Sequence, residues 1–181
     1  MRVIAGTAKG MKLKGPEGSD FRPTADKVKE ALFSILADRV VDASFIDLYA
    51  GSGAVGIEAL SRGAASCIFV DSKKESHKLI KENLDKTRLK EGARLITTEV
   101  KRTLKDLGAE KVKADLVYLD PPYNSPDLAS VVRSLFELAI VAENGLVIAE
   151  HSSRNLDWAE NFKLLKQKKY GDTCLTIIAE R

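Results

Sequence analysis

The chain has 181 residues, with 29 Lys+Arg against 26 Asp+Glu and a formal net charge of +3. That length fits one domain and leaves no room for two well-cored ones, and 44% hydrophobic with 30% charged residues excludes disorder and collagen-like repeats. The apolar runs are far too short to cross a membrane, and MRVIAGTAKG at the start has no signal-peptide core, so a cytoplasmic location without membrane contact is expected.

In chain order, Arg2–Ala5 and Met11–Lys14 flank Gly6 and Gly10, which predicts a small hairpin. Residues 1–40 carry 8 basic and 5 acidic side chains, against 15 and 17 over 41–150 and 6 and 4 over 151–181. Arg2, Lys9, Lys12 and Lys14 have no acidic neighbour in the first fourteen residues. This stretch reads equally as a phosphate-contacting arm or a solvated terminal hairpin. A loop with Gly15, Pro16, Gly18 and Pro23 comes next, and Thr24 stands as the N-cap of a helix to about Asp38, carried by Val28, Ala31, Leu32, Ile35 and Leu36. Strands are then predicted at Ser44–Leu48, Ser66–Val70, Ala93–Thr98, Asp115–Leu119 and Gly145–Glu150, with helices between them at Ala54–Arg62, Lys73–Lys90, Val100–Leu107 and Leu128–Val141. Short apolar strands alternating with helices indicate a doubly wound, mostly parallel α/β sheet of the Rossmann-like kind. Phe162–Tyr170 and Thr173–Glu180, joined at Gly171-Asp172, read as a C-terminal antiparallel hairpin closing that sheet. The expected organisation is one domain over 1–181: an N-terminal extension, 1–40, on a core, 41–181.

Asp47-Leu48-Tyr49-Ala50-Gly51-Ser52-Gly53-Ala54-Val55-Gly56 runs from the first strand into a helix and fits G-x-G-x-x-G in its strand–turn–helix context. Asp71, ending the second strand, stands where a carboxylate can accept both ribose hydroxyls. These features fit a nicotinamide or flavin dinucleotide as well as S-adenosylmethionine. Asp47 favours the second, because a pyrophosphate beside it would meet a like charge, whereas the ammonium and sulfonium of S-adenosylmethionine would meet an opposite one.

The fourth strand ends in Leu119-Asp120-Pro121-Pro122-Tyr123-Asn124. Two prolines cannot continue the ladder, so the segment leaves the sheet at its carboxyl edge, beside the glycine loop at the topological switch point. The Asp120 carboxylate and the Pro121 carbonyl can hold the two hydrogens of an exocyclic base amine, Pro122 helps to stiffen the loop, and Tyr123 offers a ring on which an unstacked base can lie.

This pairing of an Asp47-x-x-x-Gly51-x-Gly53 loop with Asp120-Pro121-Pro122-Tyr123 resembles the amino-methyltransferases that act on nucleobases. Arg2-Val3-Ile4-Ala5-Gly6, Lys9-Gly10, Lys12-Leu13, Arg22-Pro23-Thr24, Lys27, Glu30 to Phe33, Asp47 to Gly63 and Tyr170 to Thr173 resemble the bacterial RsmD family over nearly the whole chain. The resemblance implies methyl transfer from S-adenosylmethionine to guanine N2 in 16S ribosomal RNA of the small ribosomal subunit. It makes Asp120, Pro121, Pro122 and Tyr123 the expected catalytic residues. Asp47, Tyr49, Ala50, Gly51, Ser52, Gly53 and Asp71 are the expected cofactor residues, with Glu99 near the adenine. Arg2, Lys9, Lys12, Lys14 and Arg22 are the expected RNA contacts, and the substrate is expected to be a small-subunit ribonucleoprotein.

Cys67 and Cys174 read as reduced core residues, and two scattered histidines give no metal centre. His151 and His77 read as surface residues, Trp158 as a packing residue, and Lys73, Lys74, Lys78 and Lys81 as a solvated helix face. A DNA adenine-N6 or cytosine-N4 methyltransferase shares the motif but needs a larger groove-reading element than residues 1–40 offer. A dinucleotide-dependent oxidoreductase or a nucleotide-binding regulatory module is the alternative of a different class, for which Asp-Pro-Pro-Tyr would be accidental.

Overall fold

The computed structural model describes residues 1–16, 23–122, 127–154, 157–160 and 162–180. Its strands are β1 (Ser44–Leu48), β2 (Ser66–Val70), β3 (Ala93–Ile96), β4 (Ala114–Leu119), β5 (Val141–Ser152), β6 (Lys163–Tyr170) and β7 (Thr173–Ala179). The α-helices are α1 (Pro23–Leu36), α2 (Ala54–Ser61), α3 (Lys74–Thr87), α4 (Val100–Ala109) and α5 (Leu128–Glu137). The strands form a sheet of order β3-β2-β1-β4-β5-β7-β6. β1 to β5 run parallel, β7 is inserted antiparallel to β5, and β6 closes the edge antiparallel to β7. This is the α/β Rossmann-like sheet with a C-terminal hairpin that the alternating pattern predicts. Lysines 163, 166, 168 and 169 lie along the edge strand β6 and discourage further strand pairing there.

Strand alternation sorts the apolar residues into two cores. Phe45, Phe69, Tyr118, Ile148 and Leu175 face a layer that includes Val3, Leu32, Phe33 and Ile57. Ile46, Leu48, Val117, Val147 and Ile178 face Leu104, Leu107, Val131 and Leu135. Asp47 therefore belongs to the first face, opposite Tyr118 in the β1–β4 register. Gly56 lets α2 lie directly on β2, since a Cβ there would meet Phe69 Cε1 at 2.3 Å and Cys67 Sγ at 2.6 Å.

Several boundaries differ from the sequence reading. The first helix begins at Pro23, so Thr24 lies within its first turn rather than at the N-cap; proline suits that place because the N–H it lacks has no helical partner there. The α-helix stops at Leu36 because Ala37 is left-handed, and a 3-10 turn continues to Val40. Lys73 caps α3 from outside and left-handed Arg88 ends it. The largest correction is at Leu128–Val141. The helix ends at Glu137, Ala139 turns left-handed, and Val141 already pairs with Ala114 as the first residue of β5.

The N-terminal segment is neither a free arm nor a solvated hairpin. One bridge, Arg2 to Lys12, marks it as a short ladder, and the segment is fastened to the core. Glu58 on α2 is fully buried and accepts the Ile4 and Ala5 N–H groups at 2.8 and 3.0 Å. It also pairs with Lys29 at 3.2 Å and Arg62 at 2.8 Å, and Lys29 Nζ donates to the Arg2 carbonyl. Ser61 Oγ accepts from Ala8 N–H and donates to the Ala5 carbonyl. Gly6, at φ +82°, permits this approach, since any Cβ would overlap the Ser61 carbonyl. On α3, Asn83 accepts the Lys14 N–H and donates to the carbonyls of Lys14 and Ser52. The segment is thereby tied to the glycine loop itself.

Candidate active site

The carboxyl edge of the sheet opens between β1 and β4, where the helices that come after the strands lie on opposite faces. Two adjoining cavities of about 580 and 1260 Å³ share Tyr49, Gly51, Asp120 and the Gly15-Pro16 rim. The smaller one reaches Asp47, Lys29, Tyr118 and Glu150, and the larger one Asp71, Glu99, Pro121 and Pro122.

The glycine loop is held by its own carboxylates. Gly51 and Gly53 have φ of +54° and +75°, a conformation that favours glycine. Gly51 N–H donates to Asp71 Oδ2 at 2.9 Å, Gly53 N–H to the Ala50 carbonyl at 2.7 Å, and Gly56 N–H to Asp47 Oδ2 at 2.9 Å. Asp71 Oδ1 also accepts Lys73 N–H. Three of the N–H groups of this turn are thus taken, two of them by carboxyl groups that an incoming pyrophosphate would have to face. The loop suits a ligand without phosphate that carries positive charge.

Across the β1–β4–β5 register, side chains of the first face meet in a row. Leu119 pairs with Ala149, so Asp120, just past the end of β4, and Glu150, near the carboxyl end of β5, stand beside each other. Tyr118 O–H donates to Glu150 Oε2 at 2.5 Å. Burial raises Asp47 to a pKa of about 7; the Gly56 N–H bond partly opposes this, and Asp71 adds to it. Desolvation raises Asp120, with further pushes from Glu150 and Asp47. Glu150 is also raised by desolvation, against the pull of the Tyr118 hydroxyl. Tyr118 is driven well above its ordinary range, first by burial and then by Glu150, so its hydroxyl stays a donor. All three carboxyls are thus raised by their surroundings, and a bound cation would draw them back toward the ionised form.

The structure brings together Asp47, Tyr49, Ala50, Gly51, Ser52, Asp71, Glu99, Asp120, Pro121 and Pro122 around these cavities. Gly53 caps α2 just behind the loop. Tyr123 and Arg22 lie outside the described residues. Arg2, Lys9 and Lys12 are exposed, but Lys14 is not without an acidic neighbour: it pairs with Glu82 at 2.7 Å. His151 is not at the surface. It is buried, 2.8 Å from Thr176 Oγ1 and edge-on to Trp158, whose packing role holds. His77 is half-buried, with Nδ1 2.6 Å from Thr97 Oγ1. Cys67 and Cys174 are free and buried. Among the described residues no cluster of metal ligands occurs, and no helix is long and apolar enough to cross a membrane.

Sequence reasoning missed Glu150, Tyr118, Lys29 and Asn83. Glu150 had a signal, a charge ending the apolar run Leu146 to Ala149 at the edge where ligands bind. Asn83 had none, because it sits on a helix rich in charged residues, where the pattern does not tell the buried polar positions from the solvated ones.

The doubly wound sheet, the carboxylate-held glycine loop and the Asp-Pro-Pro turn beside it define a Rossmann-like methyltransferase. The family described as Conserved hypothetical protein 95 matches residues 1–179. Ribosomal RNA small subunit methyltransferase D of Escherichia coli (strain K12) is 34% identical over 156 residues, 86% of this chain and 76% of that one. The chain belongs to this family, the RsmD family that the sequence motifs resemble. A hypothetical protein of Thermus thermophilus superposes with TM-score 0.85 at 31% identity, covering 100% of this chain and 99% of that one. A structure with the same fold, TM-score 0.72 and 18% identity over 88% of this chain and 50% of that one, was solved in complex with SAH.

Proposed function

We propose that the protein transfers a methyl group from S-adenosylmethionine to the exocyclic N2 amine of a guanine in 16S ribosomal RNA. The observation that carries this reading is the juxtaposition, at the β1–β4 switch point, of Asp120-Pro121-Pro122 with a glycine turn whose Gly51 and Gly56 N–H groups donate to Asp71 and Asp47. S-adenosylmethionine, when bound, supplies an electrophilic methyl group. Tyr49 to Gly53 and Asp47 would hold its amino-acid end, and Asp71 and Glu99 would face its ribose and adenine from the larger cavity. Asp120 and the Pro121 carbonyl accept the two amine hydrogens, turning the nitrogen lone pair out of conjugation with the ring. Pro121 and Pro122 fix those acceptors before the base arrives, and Tyr123 stacks on it. The protonation of Asp120 matters to this role, since only the ionised carboxylate is a pure acceptor. A cationic ligand favours that form.

Titration of the protein with S-adenosylmethionine and with NAD tests the reading. S-adenosylmethionine is expected to bind with release of protons near pH 7, because its cations lower the raised pKa values of Asp47 and Asp120. Its affinity should therefore fall as the pH drops from about 8 to about 6, by at most tenfold per unit for each proton. Binding of NAD with no uptake of S-adenosylmethionine would remove the proposal.

The catalytic unit spans 1–181 on this reading, with 1–40 as its substrate-side element. Arg2, Lys9 and Lys12 approach phosphates, joined by Arg22, and Lys14 contributes less because Glu82 neutralises it. That modest basic surface favours a small-subunit ribonucleoprotein over naked RNA as the partner. Replacing Lys9 and Lys12 by alanine should lower the slope of log affinity against log salt by about 0.7–0.9 per lost phosphate contact, and Lys14→Ala by less. An unchanged slope would place the RNA elsewhere on the surface.

A further inference from the structure

Asp120 accounts for the guanine amine but not for the choice of guanine. The Watson–Crick edges of the three amine-bearing bases differ beside the amine. Guanine places a second donor, N1–H, next to its N2 amine. Adenine places the acceptor N1 next to its amine, and cytosine the acceptor N3. A site that reads two adjacent donors therefore needs two adjacent acceptors.

The sheet supplies them. β4 and β5 run parallel and in register, Tyr118 opposite Ile148 and Leu119 opposite Ala149, so the next residues, Asp120 and Glu150, stand side by side on the first face. Neighbouring strands lie about 4.8 Å apart, close enough for both carboxylates to reach one base edge. Both line the smaller cavity, where Glu150 is half-buried with room before it. Tyr118 O–H donates to Glu150 Oε2 at 2.5 Å, which leaves Oε1 as the oxygen able to accept from a ligand in the cavity that Glu150 lines. Buried in the same face, Tyr118 cannot easily turn away.

Resting on the reading of the site as a guanine-N2 methyltransferase, we propose that Glu150 is its specificity-determining residue. Its free oxygen accepts the guanine N1–H while Asp120 and Pro121 hold the N2 amine, and Tyr118 orients it. Adenine or cytosine in the same place would set a ring-nitrogen lone pair against a carboxylate. A flipped base read on its Watson–Crick edge is recognised in this way.

The test compares RNA carrying guanine with RNA carrying 2-aminopurine at the methylated position. 2-Aminopurine keeps the exocyclic amine but turns N1 into an acceptor. The native enzyme should prefer guanine by about 100-fold or more in kcat/KM, as expected when a buried polar group loses its partner. In Glu150→Gln the amide N–H can meet the 2-aminopurine N1, so the preference should shrink to less than about tenfold. Equal losses on both bases, or a native enzyme indifferent to them, would overturn the role of Glu150. Should Glu150→Gln fail to fold, Tyr118→Phe decides, since an unshifted base ratio in that variant rejects the oriented acceptor. Absence of methyl transfer to guanine by the native enzyme, with transfer to another base, would instead overturn the guanine reading on which the inference rests.

Discussion

Asp120→Ala is expected to lower methyl transfer by about 10²–10³-fold, the cost of removing one preorganised polar partner from a developing charge. The backbone around it should not move. Asp120 leaves the sheet at the end of β4, its N–H only loosely against the Leu48 carbonyl at 3.4 Å, and buried Pro121 anchors the chain immediately after it. Cofactor binding is expected to survive, because the loop N–H groups are held by Asp47 and Asp71 and not by Asp120. Asp120→Asn keeps one acceptor oxygen and should fall between alanine and the native residue. Single-turnover methyl transfer and calorimetric binding, measured on the same preparations, separate the two effects. Joint loss of transfer and of cofactor binding would make Asp120 a structural residue and not a catalytic one.

The features legible in the sequence are those whose signals are local. The glycine turn is a property of ten consecutive residues, and the Asp-Pro-Pro turn declares a strand end by chain chemistry alone. Once the fold class is known, the topology brings these two segments together, as the β1–β4 pairing does. The α5–β5 boundary was not legible, since Leu138, Ala139 and Ile140 extend the apolar period past the left-handed turn at Ala139. His151 was misplaced because a histidine beside a charged residue resembles a surface site, whereas its partner Thr176 lies on β7, 25 residues away. The same holds for the fastening of the N-terminus. Lys29 comes after Val28 as one more polar residue on a helix, and Glu58 lies within a helix that is apolar but for it and Ser61. Their pairing spans 29 residues of sequence and leaves no periodic trace. Sequence patterns report faces; they do not report which polar groups meet across a face.

That buried pairing carries the largest expected effect on stability. Glu58→Ala is expected to destabilise the protein by about 3–5 kcal/mol, because it strands the Lys29 ammonium, itself only 4% exposed, without its counter-ion. At about 2–4 °C per kcal/mol for a chain of this size, Tm should fall by about 6–20 °C. The same change frees the Ile4 and Ala5 N–H groups and the Arg62 side chain, whose guanidinium also lies 4.7 Å from the Phe33 ring centre. The damage should therefore be uneven. Residues 1–13 are expected to lose protection from amide hydrogen exchange first, whereas β1 and β4, which pair with each other independently of Glu58, keep theirs. Glu58→Gln isolates charge from shape, since the amide can still accept one of the two N–H groups and should lose less. A double replacement, Glu58→Leu with Lys29→Met, removes both buried charges and should recover part of the loss, because apolar groups of similar size tolerate that interior better than one unpaired ion. Recovery of stability without recovery of hydrogen-exchange protection at residues 4 and 5 would show the two parts of the network acting separately. A loss below about 1 kcal/mol in Glu58→Ala would mean that water enters to solvate Lys29, and the fastening would then rest on Ser61 and Asn83 instead.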